Sequence, residues 1–509
     1  MADDSTTNSV SAADSPPPIW AHLYVLEKWA QYTHRRQIPT TLDHKPSALQ
    51  DLDRPRAQPN NPFRRAADGI ALICATPKAT TACALEYSVQ DAQYTIRLAC
   101  DDGFLPEQLA AIRQLLGFAA RAVDGVDWNV DSRSTRGKML EVTHSFLVDV
   151  AGHCFTNIVD LSQDSWGRRS LQYWISNQTS DVLTRVPAER REDIFTDLDM
   201  VSRPIPSSMS PDDLCSFLIL VAGLVPVFQK YELHNPMHSY GGDSSPEPEE
   251  DGFPLIPDAA VQYIHELDRY FQAAKSIIAC FANLSRKMHG APVASSFRVE
   301  FLTPPPNASP SEGMEPEDLD SYLTPQFHIL SESLVTEKVG VAKDKWAAAR
   351  DAHTLSYHAE MQLAIFYALN PEILPLSDYI GLSQPSCGLC DFVLRALQKS
   401  TSVDVRYSPE STGLPIQLST CGTHGRIHPH WRFPDIDHFT TSMSPEQAKV
   451  RRRLNLVREE LAEYLRGLVK EMLPEKSRQV VEDKWGKEED VSKLVRAKIW
   501  ARLAARYQV

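Results

Sequence analysis

The sequence predicts an α/β fold: a layered sheet-and-helix domain in the second half, preceded by a mainly α-helical region and followed by a helical tail. Three observations predict it. Between residues 297 and 407, runs with strand character (FRVEFL, YIGLS, VDVRY) alternate with stretches of helical periodicity, the pattern of a sheet covered by helices. Upstream, apolar residues recur mostly at helical spacing, clearest over 105–123 and 212–231. Downstream, Ser444-Pro445-Glu446-Gln447 is a helix start, with a Ser cap, Pro at the first helical position and Gln at the third.

Each segment has its own physical reason. Residues 1–18 are small, polar and Pro-rich, so they bury too little apolar surface to offset the entropy of ordering and read as a disordered tail. Residues 19–235 form the mainly helical region. The Gly, Pro, Ser and acidic composition of 236–255 reads as a solvated linker. The α/β domain is expected over 256–440. It opens with a long helix whose Val261, Ile264, Leu267, Phe271, Ile278, Phe281 and Leu284 make one apolar stripe. In FRVEFL (297–302), alternation of Phe297, Val299 and Phe301 marks a half-buried strand. The low-complexity stretch 303–320 reads as a surface loop. Helices are expected over about 356–369 and 387–399, and strands over 379–383 and 403–407. In the tail, 441–509, Val450, Leu454, Val457, Leu461, Leu465, Leu468 and Met472 share a face.

Composition narrows the function. The 509 residues carry 52 Lys+Arg against 66 Asp+Glu, a formal charge of −14, which repels phosphate backbones and anionic lipid at long range. The tail is the exception: from Pro445 to Val509 there are 16 Lys+Arg and 11 Asp+Glu. Nine cysteines spread thinly over a long chain are unlike a secreted disulfide framework. No apolar run is expected to reach the roughly 18 residues of a membrane span, and the N-terminus lacks the pattern of a signal peptide. An intracellular protein, cytoplasmic or nuclear, is expected, with no membrane partner. Zincin, P-loop and Gly-x-Gly-x-x-Gly patterns are absent from the sequence.

Chemistry is concentrated in 356–397. His358-Ala359-Glu360 is followed by Cys387-Gly388-Leu389-Cys390. One imidazole and two thiolates give Zn²⁺ three ligands and leave one tetrahedral position for solvent, the composition of a catalytic site. Cys387 and Cys390 share a helical face, with Ser386 as the cap before them. In that first turn the positive end of the helix dipole favours thiolate. His358 and Glu360 are two apart, about 200° around a helix, so both belong at a helix start, with Ser356 as the expected cap. Two thiolates already neutralise the ion, which leaves Glu360 as the proton shuttle rather than a ligand. Hydrolysis at C4 of cytosine or C6 of adenine, with loss of ammonia, is the chemistry associated with this pair of motifs.

With these residues in place, His358-Ala359-Glu360 and Cys387-Gly388-Leu389-Cys390 resemble the zinc-dependent cytidine-deaminase-like superfamily. Y-H-A-E-M, Y-I-G-L-S and S-C-G-L-C, with C-G-T-H-G (Cys421 to Gly425) and Trp431 downstream, are similar to a fungal nucleic acid/nucleotide deaminase family related to bacterial toxin deaminases. The resemblance implies a three-layer α/β/α domain, one zinc held by His358, Cys387 and Cys390, and proton transfer by Glu360. It departs from the superfamily in having Pro385 one position earlier than usual, with Ser386 intervening.

Tyr357, Ser386, His424 and Trp431 are candidates for the substrate pocket, Tyr357 and Trp431 either stacking on a base or buried as ordinary aromatics, and His424 lining the pocket or capping a turn. Cys421, His424, His428 and His430 offer the residue types of a second zinc site, which Pro429 and the loop-like composition disfavour. The expected function is therefore a zinc-dependent hydrolytic deaminase of a nucleobase, acting on a small nucleobase-containing molecule or single-stranded nucleic acid. The alternatives are a catalytically silent, zinc-stabilised binding or effector module of the same fold, and a dithiol redox protein.

Overall fold

The computed structural model describes residues 61–76, 79–88, 91, 93–126, 132–233, 256–287, 292–304, 357–373, 375–377, 379–407, 418–420, 431–434 and 444–471. The expected tail 1–18, the linker 236–255, nearly all of the loop 303–320, Ser356, the residues 421–430 that include Cys421, His424, His428 and His430, and the tail beyond 471 lie outside the described residues.

Helix α1 (Pro62–Ile73) starts where Pro62 takes the first helical position and the Asn61 side chain accepts from the Phe63 amide. It leads into a hairpin of β1 (Thr81–Ser88) and β2 (Gln93–Cys100), antiparallel, with Thr81 opposite Cys100 and Ser88 opposite Gln93. Helices α2 (Pro106–Asp124), α3 (Ser132–His153), α4 (Phe155–Asp164), α5 (Trp166–Ser176), α6 (Ala188–Ser202) and α7 (Pro211–Tyr231) follow, and then the long α8 (Asp258–Lys287). Strand β3 (Phe297–Phe301) pairs in parallel with β2, Tyr94 opposite Phe297. Its approach is fixed by Asp124 at the end of α2, whose carboxylate accepts from the Val293 and Ala294 amides at 2.7 and 2.9 Å. Helix α9 (Ala359–Leu369), the two-residue β4 (Gly381–Leu382), α10 (Gly388–Tyr407) and α11 (Pro445–Glu471) follow.

The described protein is mostly helical around one mixed four-stranded sheet, in the order β3-β2-β1-β4. An isolated parallel bridge places Ser419 beside Tyr379, next to β4, and the Ile380 amide donates to the Ser419 carbonyl at 2.8 Å. Strand alternation sorts the sheet's side chains. Cys83, Leu85, Ile96 and Leu98 join a large core that takes in α1, α8 and the preceding helices. Ala82, Ala84, Ala99 and Leu382 join a smaller one made by α9, α10, α11 and Trp431. Small residues on that second side let α9 lie close to the sheet.

Three sequence expectations are corrected here. The described part of 19–235 is mainly helical, but it also contains β1 and β2, the central strands, so the sheet crosses the boundary expected at 236–255. Period-two alternation at Tyr94, Ile96, Leu98 and Cys100 carries that signal. The strand expected at 403–407 is instead the end of α10; no Gly or Pro interrupts Gln398 to Tyr407, so nothing stops the helical hydrogen bonding. Finally, α7, 21 residues long, has the length and apolarity to cross a membrane. Half of that apolar window is buried inside the fold, where Leu214, Leu218, Val221, Leu224 and Phe228 belong to the large core.

Candidate metal centre

Two helix starts converge at this site. His358 is extended (φ −64°, ψ 145°) and precedes the first turn of α9, while its carbonyl already accepts from the Met361 and Gln362 amides. Its side chain is thereby released from the helix surface, and Glu360, one residue into α9, points the same way despite the two-residue spacing. The His358 side chain makes no cap hydrogen bond. The cap comes from Asp101, just beyond β2, whose Oδ1 accepts from the Ala359 amide at 2.6 Å while Oδ2 takes the Thr80 amide at 3.3 Å. Gln362 locks the same turn: its buried Nε2 donates to the carbonyls of Cys100 (2.9 Å) and Tyr357 (3.1 Å). A carboxylate at a helix N-terminus is favourable both as an acceptor and as a charge.

Helix α10 is capped from within. The Cys387 carbonyl accepts from the Asp391 amide at 3.0 Å, and the Cys387 sulfur accepts from the Cys390 amide at 3.4 Å. The expected cap, Ser386, does something else: its buried hydroxyl donates to Glu360 Oε1 at 3.0 Å. That bond orients the carboxylate and leaves Oε2, which is buried and has no hydrogen-bond partner.

The ligating atoms of His358, Glu360, Cys387 and Cys390 all lie within 4.8 Å of one another, and His358 Nδ1 is 3.5 Å from Cys390 Sγ. Cys387, Cys390 and Glu360 are buried and His358 is half-buried. Burial pushes the Cys387 thiol up, but hydrogen bonds from Cys390 and His358 and the imidazolium charge outweigh it and bring it down to about 6. Burial pulls His358 down, and the Cys387 sulfur, with Glu360 and Asp101, lifts it to about 9. Cys390 is driven well above the usual thiol range by burial and by the neighbouring Cys387 thiolate. Burial raises Asp101 to about 7 against the pull of His358. Such a knot of protons and charges is resolved when a cation replaces the protons, because thiolate and neutral imidazole are the forms that bind metal.

The donor set fits zinc. Ligands about 2.0–2.3 Å from a tetrahedral ion must cluster as tightly as these do, and one imidazole with two thiolates leaves a position for solvent. The unpaired Glu360 Oε2 is the second sign of fit. A buried oxygen without a donor is costly, and here it belongs to a carboxylate grouped with the ligating atoms.

The remaining candidates fall out differently. Tyr357 is only 1% exposed, and the Arg432 guanidinium lies 4.8 Å over its ring, so its face is covered rather than offered to a base. Trp431 is also buried, edge-on to Phe433, and its indole N–H donates to Cys390 Sγ at 3.0 Å. His424 lies outside the described residues. Asp101 and Gln362 were missed by sequence reasoning; Asp101-Asp102-Gly103 reads only as a turn after a strand, and nothing in it points to residue 358.

A helix start bearing His-x-Glu, set against another bearing Cys-x-x-Cys beside a sheet, marks a deaminase-type domain with a possible metal site. Residues 357–435 match the family model described as OTT_1508_deam:-like deaminase. This stretch, well under half of the chain, holds the whole cluster and supports a deaminase family. No curated protein and no solved structure matches the chain.

Proposed function

We propose that this chain is a zinc-dependent hydrolytic deaminase of a nucleobase, carried as a nucleoside, a nucleotide or a single-stranded nucleic acid. The observation that carries the reading is the cluster of His358, Cys387, Cys390 and Glu360, with the Glu360 Oε2 buried and unpaired. His358, Cys387 and Cys390 would hold the ion. When bound, zinc supplies Lewis acidity that makes water a nucleophile near neutral pH.

Glu360 takes a proton from the attacking water through Oε2 and delivers it to the ring nitrogen of the base. A second transfer leaves with the exocyclic amine as ammonia, so one water is consumed and a carbonyl replaces the amino group. Ser386 keeps Oε1 occupied, so that a single oxygen faces the reacting atoms. Burial of the carboxylate excludes bulk water as a competing proton source. The unit that performs this chemistry is discontinuous: α1, β1 and β2 from 62–100, and α9, β4 and α10 with Trp431 from 357–434. The free, buried cysteines among the described residues favour a reducing, intracellular setting.

The test is metal analysis of the full chain, with an ammonia-release screen over nucleosides, nucleotides, and single-stranded DNA and RNA. Glu360→Gln should retain zinc and lose ~10²–10⁴-fold in turnover. A Glu360→Gln protein as active as the parent on a confirmed substrate would overturn the mechanism, and zinc without turnover on any arm would leave the silent binding module.

A further inference from the structure

The geometry points to Trp431 as a positioning residue for the metal: its indole N–H, bonded to the Cys390 sulfur, tunes that thiolate and holds it in ligating orientation. The inference rests on the reading of the cluster as a metal site.

Trp431 is among the largest fully buried side chains in the protein. A buried indole N–H needs an acceptor, and the nearest satisfied geometry is a sulfur at 3.0 Å rather than a backbone carbonyl. The two thiols are thus treated differently. Cys387 receives an amide from within its own helix turn, at 3.4 Å. Cys390, wholly buried, receives the indole from a segment 41 residues further along the chain. Phe433 packs edge-on against Trp431, ring centroids 5.9 Å apart, and steadies the ring without reaching the sulfur bond.

A hydrogen bond to a metal thiolate withdraws electron density from sulfur, which leaves more of the positive charge on the ion and fixes the ligand's direction. Outer partners of this kind typically change metal affinity by about 10–100-fold. Phenylalanine fills most of the indole's volume but cannot donate, so the N–H is the separable element.

The experiment uses the full chain loaded with Co²⁺, whose thiolate-to-metal charge-transfer band reports sulfur electron density, and a chelator competition for Zn²⁺. Trp431→Phe should move the band to longer wavelength and weaken zinc about 10–100-fold. Phe433→Leu, which loosens the packing but keeps the N–H, should leave the band in place. If Trp431→Phe does not fold, 3-benzothienylalanine at position 431, with sulfur in place of the N–H in the same bicyclic shape, gives the same readout. A parent-like band and affinity in the variant lacking the N–H overturns the inference, as does an equal shift in Phe433→Leu. If the parent itself binds neither ion, the metal-site reading fails instead, and the two failures are distinct.

Discussion

The two helices that flank the sheet, α1 on one side and α9 on the other, are held in opposite ways. α1 is pressed against β4 backbone to backbone: a Cβ placed on Gly381 would lie 2.2 Å from the Ala67 carbonyl carbon and 2.4 Å from the Asp68 nitrogen. Its polar tie is Asp68, which takes the Tyr379 hydroxyl at 2.7 Å and the Leu382 amide at 3.1 Å. α9 is held instead by side chains reaching from the sheet, Asp101 at its start and the buried Glu86–Arg97 pair at its far end. There the Tyr367 hydroxyl donates to Glu86 Oε1 at 2.7 Å, and Arg97 lies 4.0 Å over the Phe366 ring. On the closely packed side both oxygens of the Asp68 carboxylate are occupied. The side held by side chains leaves one carboxylate oxygen unmatched, and that is where chemistry is available.

Breaking the close-packed side should have the largest effect. Gly381→Ala forces α1 away from β4 and is expected to cost ~3 kcal/mol or more, read as a lowered urea midpoint. Asp68→Asn sharpens the contrast through pH. Burial raises Asp68 to about 6, against the Tyr379 and Leu382 hydrogen bonds and the charges of Arg269 and Arg64. The unfolded value is lower, so the folded state binds more protons between the two. Stability from this group is therefore complete below about pH 4 and lost as pH rises to about 6. Asp68→Asn should remove that slope, up to about 3 kcal/mol, in urea titrations taken at each pH. An unchanged slope would show that Asp68 is not the group responsible.

On the other side, Asp101→Ala should cost about 1–2 kcal/mol as a lost cap and also weaken zinc retention, because the cap fixes the turn that carries His358 and Glu360. Asp101→Asn, which keeps an acceptor for the Ala359 amide, should restore most of the stability. Equal losses in both variants would mean that the charge, not the cap, matters. The smallest effect is Tyr367→Phe, about 1 kcal/mol for one neutral donor to a buried pair, with metal binding unchanged. A metal defect there would show that the two ends of α9 are coupled.

What was legible in the sequence follows the same division. His358, Glu360, Cys387 and Cys390 announce themselves because metal chemistry restricts residue type and helix starts restrict spacing. Helices α7, α8 and α11 were legible because their apolar stripes are long. The hairpin β1–β2 was passed over within a helical neighbourhood although its alternation is visible at Tyr94, Ile96 and Leu98, and 403–407 looked like a strand because Val and Tyr suit either structure. Asp101 and the Trp431 bond to Cys390 were not legible at all. Each joins residues with no sequence relation, 258 positions apart in the first case and 41 in the second, and only the folded chain brings them together.

That hairpin has a practical corollary. The segment that matches a deaminase family begins at 357, but the strands on which its first helix rests were synthesised more than 250 residues earlier. Excising that recognisable segment of the polypeptide for separate expression would strip α9 of its platform and expose its apolar underside, so aggregation rather than a minimal enzyme is the outcome to anticipate.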